Sequence, residues 1–139
     1  MKQGGRSVSA STKGPGLYDI TRDVADVLGE VGITQGLVTC FIRHTSASLL
    51  IQENADPDVL TDLENFMRRA VSRDERLYKH TTEGPDDMPA HIRAALTQTS
   101  LSIPVRSAKL ALGTWQAIYL FEHRDAPHRR EIIVHVMGE

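Results

Sequence analysis

Four stretches in the last forty residues, SLSIPVR, KLALG, WQAIYLFEHR and REIIVHVMG, read as strands that succeed one another without an intervening helix. Strands joined by short turns pair antiparallel, whereas a parallel pair needs a long crossover, usually helical. Two further strands, GLVTCFIRH (36–44) and LLIQE (49–53), flank the short turn TSAS. Residues 1–16 are rich in Gly, Ser and Lys, and SVSAST within them is either part of a mobile segment or an edge strand. Helical periodicity is confined to two regions. The pattern therefore predicts an α+β domain, built as an antiparallel-strand-rich sandwich or partly open barrel with two to three helices.

The helices carry clear start and stop signals. Ile20, Val24, Val27, Leu28 and Val31 recur at helical spacing, and Gly32 follows as a stop. Asp56-Pro57 opens a second helix, with Asp56 as cap and Pro57 at a position that needs no amide donor. Val59, Leu60, Leu63, Phe66, Met67, Ala70 and Val71 then form an apolar stripe. A third helix begins at Asp87-Met88-Pro89 and buries Ile92, Ala95 and Leu96.

A chain of 139 residues with 40% apolar and 24% charged residues has the proportions of one soluble domain. A net charge of −2 gives no general attraction to nucleic acid. No segment reads as a signal peptide or a membrane span, and a single cysteine leaves no intrachain disulfide. These features predict a cytoplasmic protein that binds neither nucleic acid nor membrane.

Of six histidines, His128 reads as a solvated loop residue and His135 as an outward residue of a strand. His44, His80, His91 and His123 fall at the ends of elements, where functional groups collect. Three of them, His44, His80 and His91, make a candidate metal site, because neutral imidazole is a common ligand and three histidines plus an open position is a known zinc arrangement. The turn TTEGPDD between His80 and His91 could bring those two together. Asp56, Asp58, Asp86 and Asp87 all have the simpler reading of helix caps, whereas Glu53 ends a strand beside Asn54. Thr45, Ser46 and Ser48 could present hydroxyls to a phosphate, with charge from Arg43 and Arg124. Nucleotide loops, HExxH and GxSxG are absent.

The blocks HTSASLLIQENADPDV, HTTEGPDDMPAHI, SLSIPV and LGTWQAIYLFEHR resemble the YjbQ-like, or secondary thiamine-phosphate synthase, family from about Leu17 to the C-terminus. The resemblance implies an α+β fold, a homotrimer and a bound divalent metal, zinc foremost, with magnesium an option for a diphosphate substrate. It supports His44, His80 and His91 as metal ligands. Its polar blocks match Glu53, Asn54 and Asp56, then Gly113, Thr114, Trp115 and Gln116, then Glu122, His123 and Arg124. Ala117 stands where the block is expected to carry glycine.

The implied reaction joins hydroxymethylpyrimidine diphosphate to thiazole phosphate with release of pyrophosphate. Such a transferase chiefly needs the leaving charge neutralised and its two partners aligned. On this reading Glu53, Glu83 and His123 are the catalytic candidates. Thr45, Ser46, Ser48, Asn54, Thr114, Gln116 and Arg124 receive a small phosphorylated molecule. Two alternatives stay open: a zinc-dependent hydrolase of a phosphoester or ester, with Glu53 or Glu83 as base, and a non-catalytic metal- or ligand-binding trimer.

Overall fold

The computed structural model describes residues 1–139. In chain order its elements are β1 (Lys2–Ser11), β2 (Gly16–Asp19), α1 (Thr21–Val31), β3 (Gly36–Ile42), β4 (Ala47–Glu53), α2 (Pro57–Ala70) and a 3-10 turn (Glu75–Leu77). They continue with α3 (Asp87–Leu96), β5 (Ser100–Arg106), β6 (Lys109–Leu110), β7 (Gln116–Glu122) and β8 (Arg129–Gly138). All pairings are antiparallel, in a five-stranded sheet of order β1-β8-β3-β5-β6 and a three-stranded sheet of order β2-β7-β4. A bridge between Leu49 and Gln98 ties the small sheet to the approach of β5, so the sheets curl around one core. This is the predicted α+β architecture.

The core follows from strand alternation. Val38, Cys40 and Ile42 of β3, Leu101, Ile103 and Val105 of β5, and Ile132, Val134 and Val136 of β8 all point inward and are buried. β7 departs from alternation, since Ala117 to Glu122 are all buried. It is the central strand of the small sheet, covered on both faces. The N-terminal segment is an edge strand, its register running from Lys2 opposite Gly138 to Ser11 opposite Arg129. The short β2 lies outside the strands expected from the sequence, and the KLALG run supplies only the two residues of β6.

Helix α1 ends as its sequence predicts: Gly32 takes the left-handed conformation at φ 75°, and its amide bonds Leu28 O at 3.0 Å. Its Val24, Val27 and Leu28 join the core. In α2, Asp56 Oδ1 accepts the Asp58 amide at 2.9 Å. Asp56→Ala is therefore expected to cost about 1 kcal/mol in urea unfolding, and an unchanged midpoint would remove the capping role. The α2 stripe is less buried than its pattern predicts: Met67 is buried, but Phe66 is 58% exposed. This helix lies along the rim of the small sheet, against β2, instead of across the core. In α3 it is likewise Ala90 and Ala94 that are buried, and Leu96 is exposed.

Candidate metal centre

The segment from His80 to His91 folds so that four ligand atoms converge. One ligand atom from each of His80, Glu83, Asp87 and His91 lies within 4.8 Å of all the others. Gly84, at φ 102°, turns the chain between His80 and α3, a conformation that glycine adopts without strain. Asp87 and His91 are one helical turn apart on α3, so they share a face. Asp87 is the buried centre of the group, 2% exposed. Its Oδ2 lies 2.7 Å from His80 Nε2 and 3.0 Å from His91 Nε2, and Glu83 Oε2 lies 3.3 Å from His80 Nε2.

The hydrogen bonds define what this group requires. His91 Nδ1 sits 2.9 Å from Thr45 O, which can only accept, so Nδ1 carries the proton. In neutral His91 the Nε2 lone pair then faces the Asp87 carboxylate, acceptor against acceptor. That juxtaposition is stable only with a proton or a cation at Nε2. Burial alone would push the Asp87 carboxyl up, but the His80 hydrogen bond and the charges around it hold it down at about 2. The same bond raises His80 above its ordinary 6.5. Two imidazoles and two carboxylates around one point form a donor set suited to zinc or a similar divalent ion. Thr45 O, bonded to the far nitrogen of His91, is the kind of outer partner that orients a ligating histidine.

Arg124 holds this arrangement against the small sheet. Its Nε donates to Asp86 Oδ2 at 2.8 Å, its Nη1 pairs with Asp87 Oδ1 at 2.8 Å, and its Nη2 donates to Glu83 O at 3.2 Å. Arg124 is thus committed to the loop instead of standing free for a phosphate, as its position in the sequence suggested.

His44 is not in the cluster. Its Nε2 lone pair accepts the Glu131 amide at 2.8 Å, and its Nδ1 faces the Arg130 guanidinium at 3.4 Å. Burial, and then the charge of Arg130, lower its pKa. His44 does line the same cleft as His91, a cavity of about 250 Å³ that also touches Thr45, Ala94, Ala95 and Thr99. A larger cavity of about 580 Å³ shares His44, Thr45 and Thr99 and extends to Phe41, Arg43 and Ser46.

The other candidate residues are distributed differently. Ser48 is buried and its Oγ meets His123 Nε2 at 2.9 Å. His123 is itself buried, tilted against Phe121 at 4.5 Å, and burial pushes its pKa down to about 3. It is a neutral core histidine, away from any open cleft. Ser46 Oγ accepts from Arg130 at 3.1 Å. Glu53, Asn54, Thr114 and Gln116 form their own group: Glu53 pairs with Gln116 in the ladder, and Asn54 Nδ2 donates to Thr114 O at 3.3 Å. In that ladder Ala47 opposes Glu122 at one end and Glu53 opposes Gln116 at the other. Six strand steps separate them, about 20 Å, so this group lies remote from the Thr45 cleft within one chain. Asp87 is the site residue that the sequence hid, because a carboxylate at a helix start reads as a cap; neither Asp86 nor Asp87 makes a side-chain cap bond at the start of α3. The usable signal was the pair Asp87 and His91 at i and i+4, one turn apart.

The UPF0047 protein YjbQ-like family pattern matches residues 6–139. A UPF0047 protein of Synechocystis is 57% identical over 129 residues, covering 93% of this chain and 88% of its own. A crystal structure of an uncharacterized conserved protein of the YjbQ/UPF0047 family from Clostridium acetobutylicum superposes with a TM-score of 0.86 at 36% identity, over 94% of this chain and 98% of that one. A hypothetical protein of Aeropyrum pernix superposes with a TM-score of 0.87 at 30% identity, over the full length of both. With sequence and fold agreeing over nearly the whole chain, the protein belongs to the YjbQ/UPF0047 family.

Proposed function

We propose that the protein is a divalent-metal enzyme, zinc its first candidate ion, that acts on a small phosphorylated molecule in the cleft beside His91. The observation that carries this reading is the confrontation of His91 Nε2 with Asp87 Oδ2 at 3.0 Å while Thr45 O occupies Nδ1. His80, Glu83, Asp87 and His91 would hold the ion. When bound, it would supply Lewis-acid polarisation of a phosphoryl or carbonyl oxygen.

The chain's own residues supply the remainder. His44, with its Nε2 occupied by the Glu131 amide and its Nδ1 beside the Arg130 guanidinium, lines the cleft together with Arg130, and Thr45 adds a hydroxyl. Arg43 contributes charge at the rim, although it also pairs with Glu131 at 3.2 Å. Together they can orient phosphate oxygens toward His91. This suits the thiamine-phosphate synthase reaction that the sequence resembles, in which a diphosphate leaves and must be held. A hydrolase is the second reading. It is favoured by Glu83, an exposed carboxylate 3.3 Å from His80 Nε2, which on this reading leaves the ion to His80, Asp87 and His91 and serves as the base.

The test incubates zinc-loaded protein with hydroxymethylpyrimidine diphosphate and thiazole phosphate and measures pyrophosphate. Release that His91→Ala abolishes supports the synthase. Turnover of a phosphomonoester panel without any release supports the hydrolase, and neither activity overturns both. A homotrimer belongs to the same reading. Leu37 opposite Met137 and Phe41 opposite Ile133 leave apolar side chains exposed on the outer face of β3 and β8, which self-association would cover.

Metal affinity is expected to depend on pH. A proton on His80 Nε2 competes with the ion, and the Asp87 hydrogen bond raises the His80 pKa. Zinc affinity should therefore begin to fall while the pH is still above 6.5, approaching about tenfold per unit for one displaced proton. Competition titrations with a zinc chelator would check this, and a flat profile through that range would remove His80 from the ligand set.

A further inference from the structure

A second built site lies on the opposite side of α3. Arg93 follows His91 by two residues, about 200° around the helix, and is directed away from the metal cluster. It is 4% exposed, and its Nε has no hydrogen-bond partner. A guanidinium taken out of water without partners is unfavourable. The space it adjoins is a cavity of about 480 Å³ lined by Pro15, Arg68, Arg73, Arg93 and Asp125, with no apolar residue other than the proline.

The local charges do not balance. Asp125 holds Arg73 bidentately, at 2.7 and 3.2 Å. Glu64 Oε1 meets Arg68 Nε at 3.4 Å, while its Oε2 is buried without a partner. Glu64 acts on Arg93 through space, with no hydrogen bond between them, and Arg68 and Arg73 repel it. Even if Glu64 turned to bond Arg93, three guanidinium groups would share two carboxylates. One positive charge is left facing the cavity. Its complement is an anion with several acceptor oxygens, which arginine recognises through its planar fork.

We propose that this cavity is an oxyanion site that binds the phosphate group of a small phosphomonoester, seated on Arg93 with Arg68 and Arg73 at its mouth. A neighbouring cleft of about 280 Å³ shares Pro15 and Arg68 and offers Leu17, Leu60, Thr61 and Asn65, a mixed lining for the organic part of such a molecule. The site is distinct from the metal cluster. The chain passes between the two at Arg124, which holds Asp86 and Asp87, and Asp125, which holds Arg73.

The test uses the full chain, stripped of metal with a chelator, and measures glycerol 3-phosphate and inorganic phosphate binding by calorimetry and by thermal shift. Glycerol 3-phosphate should bind and raise the melting temperature of both the wild type and His91→Ala. Arg93→Met should weaken binding at least about tenfold, as should Arg73→Gln, since charge-assisted bonds are lost in each. Arg73 is half exposed, so Arg73→Gln tests the site even if Arg93→Met fails to fold. Tighter binding of the monoester than of inorganic phosphate supports the adjoining cleft as part of the site, and equal binding overturns that part. No response of the wild type at millimolar ligand, or an undiminished response in both arginine variants, overturns the proposal. Because no metal is present, loss of the metal centre or of turnover does not enter the result.

Discussion

Glu122→Ala is expected to lower the free energy of unfolding by about 3–5 kcal/mol, the largest stability effect of any single change considered for this chain. Glu122 is fully buried at the end of β7, and Arg130, at the start of β8, is nearly so. Arg130 Nε donates to Glu122 Oε1 at 2.8 Å, and its Nη2 pairs with Oε2. Thr12 Oγ1 adds a bond at 2.7 Å, and the amides of His123 and Arg124 add two more, at 3.0 and 3.2 Å. Removing the carboxylate strands a buried guanidinium, which is what makes the single change so costly. Replacing both members, as in Glu122→Leu with Arg130→Met, should cost less than the single substitution, because no charge is then left alone. Urea unfolding of the three proteins checks this, and a single-variant loss below about 1 kcal/mol would mean that the pair is not desolvated as described.

The same pair predicts a direction in acid. Burial would push the Glu122 carboxyl up, but bonds from Arg130 and Thr12 and from backbone amides outweigh it, and the folded pKa lies below 4.5. A carboxyl depressed by folding contributes stability above its unfolded pKa, and that contribution is lost as pH falls through the folded value. Wild-type stability should decline below pH 4.5, and a Glu122→Gln variant should lose part of that dependence.

Local signals in the sequence were sufficient for most elements. Gly32 stops α1 and Asp56-Pro57 starts α2 because both effects act within one turn of backbone. β5 and β8 were legible because alternation is a local pattern that the sheet uses directly, whereas β7 is buried along nearly its whole length and β6 is two residues long. The α2 stripe misled for the opposite reason. Periodicity predicts which side chains share a face, but only tertiary placement determines whether that face meets the core, and Phe66 meets solvent.

The site divides along the same line. His80 and His91 converge through a twelve-residue segment whose turn, with Gly84 at its bend, could be read directly. The fate of His44 depends on Glu131, 87 residues further on, whose amide takes the lone pair that a metal would need. The β4–β7 register likewise sets the Glu53 block at the far end of the ladder from Ala47, apart from the residues with which the sequence groups it. Asp87 was concealed by its position: a carboxylate that begins a helix reads as a cap, yet no side-chain cap bond forms at the start of α3, and its oxygens meet His80, His91 and Arg124 instead.

His91→Ala should lower the zinc content of protein purified without added metal by at least about tenfold, whereas His44→Ala and His128→Ala should leave it near the wild-type level. The contrast follows from which lone pairs are free. His91 Nε2 is directed at Asp87 and His80 because Thr45 O fixes the ring through Nδ1. On the proposed reading its removal takes away a ligand, and it also removes the bond to Thr45 O that ties α3 to the loop between β3 and β4. His44 Nε2 is occupied by a backbone amide, so its loss should alter substrate affinity in the cleft instead of metal content. His128 bonds only Ala126 O through its ring and lies outside the cluster. Asp87→Asn gives an independent check, because it keeps the size of the side chain while removing the charge that draws the imidazoles together. It should lose metal as His91→Ala does. Elemental analysis of the four variants distinguishes the ligand sets: metal lost in His44→Ala would restore the three-histidine arrangement, and metal retained in both His91→Ala and Asp87→Asn would remove the cluster as a metal centre.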